Sequence, residues 1–224
     1  MTVALSKDES AVSESKGLVL GAAHMGSEAG RSSRQRMNTG MRTLIGACVI
    51  YGAMVLLFTL ISLYTAPQDS QIGTFRPLPA IPFHELILGL LGLGLGLAAS
   101  AAVRKLDLGL VILVPALVVL TDLDHLPAYL GMAQPIRPAH SVIFIVCTVA
   151  LMATVIRKTG VELVSLSAFF AHLSVDTGVF PPLSPVSFQY YGIGEFRIPF
   201  VFAAIAFALT AGLAMRRSKQ GAVV

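Results

Sequence analysis

Residues 108–125 read LGLVILVPALVVLTDLDH. Fourteen positions pass without a charge, and the run then ends on Asp122, Asp124 and His125. An apolar run of this length is too long for a strand and too uniform for a surface helix, which would carry a polar face. It reads as a membrane-crossing helix that meets its polar residues at one end. A span needs roughly 17–25 residues, so this run reaches that length only when its ionisable end is included.

Working outward, further apolar stretches lie at 43–64, 84–103, 140–156, 161–178 and 198–215. With 108–124 they make about six, which predicts an all-α, polytopic membrane helix bundle. Composition agrees: 55% of the 224 residues are hydrophobic and 12% charged, about half the charged share of a soluble domain. The stretch 84–103 carries Gly92 and Gly96 four apart, a spacing that lets helices approach closely. Residues 1–42 are rich in Ser, Gly and charge and read as a disordered tail. They hold no long apolar run before 43 and no cleavable signal. The helical domain is expected over 43–217, with a short tail at 218–224.

The basic residues set the orientation. Arg31, Arg34, Arg36 and Arg42 precede the first stretch. Arg104 and Lys105 follow the second, Arg157 and Lys158 the fourth, and Arg216, Arg217 and Lys219 the sixth. With Lys7 and Lys16 this is 13 on one side, against Arg76, Arg137 and Arg197 on the other. The positive-inside rule then puts both termini in the cytoplasm, with the plasma membrane as the expected location. The net charge of +4 is thereby an orientation signal, and nucleic acid is not an expected partner. Cys48 and Cys147 sit alone in apolar runs and read as core residues.

Apart from His24 in the tail, the histidines are His84, His125, His140 and His172. In this topology all four fall in the outer half of the membrane, with Asp122, Asp124 and Asp176. Ionisable residues in spans are expensive and mark function, and imidazole with carboxylate suits zinc first, then manganese or iron. His172 and Asp176 are four apart on one helix, and Asp122 and His125 three apart, so each pair shares a face. Asp124 points away from Asp122 on a regular helix. Pro127 disfavours helical geometry at Leu126, and a helix ending there would let Asp124 turn inward. His172 lies 14 residues beyond Lys158, about 21 Å of helix at ~1.5 Å per residue, which places the site below the outer surface. Ser141 reads as a helix N-terminal residue, Arg137 as a headgroup anchor or phosphate clamp, and Glu195 with Arg197 as a surface pair.

In order, these elements are His84, then Asp122-Leu123-Asp124-His125, then Arg137-Pro138-Ala139-His140-Ser141, then His172-Leu173-Ser174-Val175-Asp176-Thr177. Over about 80–200 the chain resembles the LexA-regulated, membrane-bound metal-dependent hydrolase family (YdjM-like). It departs from that pattern at Pro138-Ala139, where Gly and a polar residue are expected. The resemblance implies a hydrolase dependent on a divalent metal. Its site residues would be His84, Asp122, His125, His172 and Asp176 as ligands, with Asp124, His140 and Arg137 as acid–base, orienting or phosphate-binding groups. A recessed site beside lipid suggests an amphiphilic or phosphate-bearing substrate. A metal-ion or proton transporter, and a scaffold with a structural metal, are the alternative readings.

Overall fold

The structure is a computed structural model, and it describes residues 41–66, 81–104, 106–130, 132, 137–158, 160–176 and 179–221. The N-terminal tail and the loop that carries Arg76 lie outside the described residues.

The chain is helical, as expected. Helix α1 spans Met41–Thr65 and α2 spans Ile81–Ala102. Helix α3 spans Leu108–Leu120 and passes through a 3₁₀ segment, Thr121–His125, into the single turn α4, Leu126–Tyr129. After a second 3₁₀ turn, Pro138–His140, come α5, Val142–Val155, and α6, Val161–Val175. Helix α7, Arg197–Gly221, closes the chain and carries helix into the expected tail. The α6–α7 connection holds one short antiparallel pair, β1 (Val179–Phe180) with β2 (Tyr191–Gly192).

Four helical stretches are long and apolar enough to cross a membrane: Met41–Thr65, Phe83–Ala102, Leu108–Ala128 and Ile193–Ser218. They mark a membrane protein. Helices α5 and α6 are apolar but shorter. Ile45, Val49, Leu90, Phe202 and Leu213 point outward and are exposed. Such faces are disfavoured in water and stable against lipid.

The helices meet through small residues. A side chain at Gly92 would collide with the backbone of Pro115, and one at Gly96 with Leu110 O at 2.8 Å. Pro115 lies inside α3, where its ring breaks the smooth surface, and Gly92 receives it. Helix α2 also packs on α7, and α6 packs on α3, α5 and α7. Helix α1 completes the core: Tyr51 is fully buried and its ring meets Phe144 of α5 edge-on, centroids 5.4 Å apart.

Candidate metal centre

The 3₁₀ segment is the local feature that makes the site. In an α-helix, Asp122 and Asp124 would lie about 160° apart around the axis. Three residues per turn narrow this to about 120° and eclipse Asp122 with His125. Accordingly, His125 Nε2 lies 3.1 Å from Asp122 Oδ1 and 3.5 Å from Asp124 Oδ1. The expected escape from helical geometry at Leu126 does not occur. Leu126 is right-handed helical, and Pro127 sits in the first turn of α4, where its missing N–H has no helical partner to lose. The inward turn of Asp124 thus comes from tighter winding before the proline.

The 3₁₀ winding pairs N–H groups three residues back rather than four. The Val118 carbonyl, four residues before Asp122, accepts from His172 Nδ1 at 2.9 Å. A carbonyl can only accept, so Nδ1 carries the proton and His172 Nε2 presents its lone pair. His140 is constrained in the same way. Its Nδ1 lies 3.0 Å from Asp124 Oδ2, and an ionised carboxylate also only accepts. The Ala139 N–H donates to the same oxygen at 3.3 Å. Ser141 caps α5 by accepting from Phe144 N at 3.0 Å, as its N-terminal position suggested, and so fixes where His140 enters.

The remaining nitrogens converge. His140 Nε2 and His172 Nε2 are 3.0 Å apart. With both Nδ1 atoms donating, two neutral rings would aim lone pairs at each other. His172 Nε2 is 3.5 Å from Asp122 Oδ1, and His84 Nε2 is 3.4 Å from Asp122 Oδ2. His140 Nε2 is also 3.0 Å from Asp176 Oδ2. Asp124, His140 and His172 are completely buried, and Asp122, His125 and Asp176 nearly so. His84 stands in the first turn of α2, three residues inside the helix rather than at its start.

Asp176 ends α6 and is held from two sides. The buried Arg137 pairs with its carboxylate, and Arg197 Nη2 donates to its backbone carbonyl at 3.2 Å. Arg197 and Glu195 are both exposed, as a surface pair would be, but the hydrogen bond that Arg197 makes is to this helix end, where a cation is favoured. Burial opposes the charge on Arg137, but the Asp176 carboxylate outweighs this and raises the guanidinium's pKa.

These residues suit a divalent cation. Asp122 Oδ2, Asp124 Oδ1 and His84 Nε2 are buried and make no hydrogen bond, an arrangement that costs free energy unless something else satisfies them. Two donor triples lie within 4.8 Å, Asp122–His140–His172 and Asp122–Asp124–His125. Bonds of ~2.0–2.1 Å to a tetrahedral ion separate its ligands by about 3.3–3.4 Å, and the contacts above run from 3.0 to 3.5 Å. His140, read from sequence as an acid–base or orienting group, stands in a donor triple. Asp176 stands beside it in the grip of Arg137.

Two contributors were not foreseen. Thr121 spends its hydroxyl proton on Leu117 O at 3.1 Å, so Tyr51 of α1 must donate to Thr121 Oγ1 at 3.0 Å. This pins the first residue of the 3₁₀ segment. The only sequence signal was a polar-tipped aromatic inside an otherwise apolar span. No family model, curated protein or solved structure matches the chain.

Proposed function

We propose that the protein is a membrane-embedded, metal-dependent hydrolase acting at the outer membrane face on a phospholipid or lipid-linked phosphate. The observation that carries the metal reading is the pair of imidazole nitrogens facing each other at 3.0 Å. Each belongs to a ring whose other nitrogen is committed as a donor. A divalent cation between them and Asp122 would bind both neutral rings at once, in place of the proton that one Nε2 must otherwise carry. Zinc fits the mixed imidazole and carboxylate set best, with manganese and iron as neighbours in chemistry.

When bound, such an ion supplies an activated water and a Lewis acid for the scissile bond. The protein's own residues do the rest. His84, Asp122, His125, His140 and His172 hold it. Asp124 fixes the tautomer and angle of His140 through Nδ1 and through the Ala139 N–H. Asp176 restrains Arg137, which favours an anionic substrate over a neutral one. Six crossings with both termini cytoplasmic fit the split of 13 basic residues against 3 and bring the cluster to the outer side. On this topology α5 and α6 cross as short helices extended by their polar ends.

The test is turnover. Solubilised full-length protein loaded with Zn²⁺ or Mn²⁺ should release product from a lipid phosphate and lose that activity on chelation. Metal bound with no turnover across a broad panel of phosphate and carboxylic esters rejects the hydrolase reading.

A further inference from the structure

The donors outnumber what one ion can use. Excluding Asp176, six side chains (His84, Asp122, Asp124, His125, His140 and His172) offer more ligand atoms than the four a tetrahedral ion takes. They also divide. The two triples share one residue, Asp122, and otherwise separate into His140 with His172 and Asp124 with His125. His125 and His140 have ring centroids 6.1 Å apart, and His84 and His172 are 6.5 Å apart.

The Asp122 carboxylate looks both ways. Its Oδ1 lies 3.5 Å from His172 Nε2 and 3.1 Å from His125 Nε2. Its Oδ2 lies 3.4 Å from His84 Nε2 and makes no hydrogen bond. Asp124 is divided too. Oδ2 is occupied by His140 and the Ala139 N–H, while Oδ1, fully buried, makes no hydrogen bond and lies 3.5 Å from His125 Nε2. A lone ion at His140 and His172 would leave that oxygen and His84 unsatisfied.

We infer that the cluster is a two-cation centre in which Asp122 is the shared carboxylate, with His140 and His172 on one cation and His84, Asp124 and His125 on the other. The inference rests on the metal reading above and deepens it. Paired sites hold their ions about 3.5–4 Å apart, the distance that one bridging carboxylate spans. The charges then define the substrate class. Two dications set against three carboxylates and the Arg137 guanidinium leave the pocket net positive, which selects an anionic phosphate ester over a neutral ester or amide.

The deciding experiment is a manganese titration of the chelator-stripped, detergent-solubilised full chain, followed by elemental analysis and electron paramagnetic resonance. Two equivalents per chain with an exchange-coupled pair signal are expected. His172→Ala and His125→Ala should each keep one equivalent and show an isolated-ion spectrum. Saturation of the wild type at one equivalent overturns the two-cation centre but leaves a metal site standing. Two equivalents without coupling overturn the shared Asp122. No manganese binding at all removes the metal reading with it. The wild-type titration decides by itself should either variant fail to fold, and neither result depends on turnover.

Discussion

At one end of α2 stands His84, part-buried and 3.4 Å from a carboxylate. Just past the other end stands Arg104, exposed and in left-handed backbone, φ 58°. Helix α5 repeats the contrast: it begins beside the buried His140 and ends at Arg157, φ 50°, also exposed. At the basic end, helices stop with a left-handed residue, a geometry that satisfies their last carbonyls, and charge is sent outward. Helix α3 starts there in the ordinary way, with Asp107 accepting from Gly109 N. At the histidine end, charge is turned inward and one helix changes its winding to do so. Among the described residues, the second end gathers buried carboxylate and imidazole atoms that make no hydrogen bond, at Asp122, Asp124 and His84. The difference teaches where function lies: a stable bundle needs the first kind of end, and nothing in folding alone rewards the second.

Breaking the contrast should be easiest at Asp122. Asp122→Ala should reduce metal affinity by more than the ~10–100-fold that outer partners of a metal site contribute, read by competition against a chelator of known affinity. Unchanged metal content in the folded variant would falsify the assignment of this end. Asp124→Asn should retain the fold yet weaken metal binding by at least about 10–100-fold, because the amide no longer enforces the proton on His140 Nδ1 and no longer offers a charged oxygen beside His125. A variant that binds as wild type does would show that Asp124 only fills space.

Gly92→Val tests whether the two ends communicate through packing. The added side chain meets the Pro115 backbone, and overpacking of this kind costs about 1–3 kcal/mol. Thermal unfolding in detergent should fall accordingly. Metal affinity should drop with it, since His84 and Asp122 lie on the two helices being forced apart. A smaller effect is expected from Tyr51→Phe, which removes one buried hydrogen bond worth about 0.5–1.5 kcal/mol and keeps the ring against Phe144. Loss of metal affinity larger than the loss of stability would identify Tyr51 as a positioning residue for the 3₁₀ segment. Smallest of all, Arg157→Gly relieves left-handed strain at the basic end, shifting stability upward by at most about 1 kcal/mol. Any change in metal content there would undo the distinction between the ends.

How much of this was legible in the sequence follows from what kind of rule each feature obeys. The helical character and the gathering of His84, Asp122, Asp124, His125, His140, His172 and Asp176 depend on apolar run length and on spacing, and both can be counted along the chain. The Gly92–Gly96 contact followed from residue size. The 3₁₀ winding did not, because Thr-Asp-Leu-Asp-His has no propensity that distinguishes it from one more α-turn. The pull comes from partners on other helices, Tyr51 on Thr121 and His172 on Val118. The contact of Arg197 with the end of α6 was hidden for a related reason. Glu195 is its neighbour in sequence, but the end of α6 is its neighbour in space. The role of His140 depended on which of its nitrogens was already engaged, a fact that exists only once Asp124 is beside it.

The carbonyl of Val118 carries a last implication. It lies in the last turn of α3, just before the winding changes, and it sets the proton on His172. Regularity and reactivity therefore meet at a single atom. Substitutions chosen to make 121–125 a better helix former would raise the helix's own robustness while turning the Val118 carbonyl away from the direction that now orients His172. Engineered stabilisation of this segment would be expected to yield a sturdier protein with a blunted site.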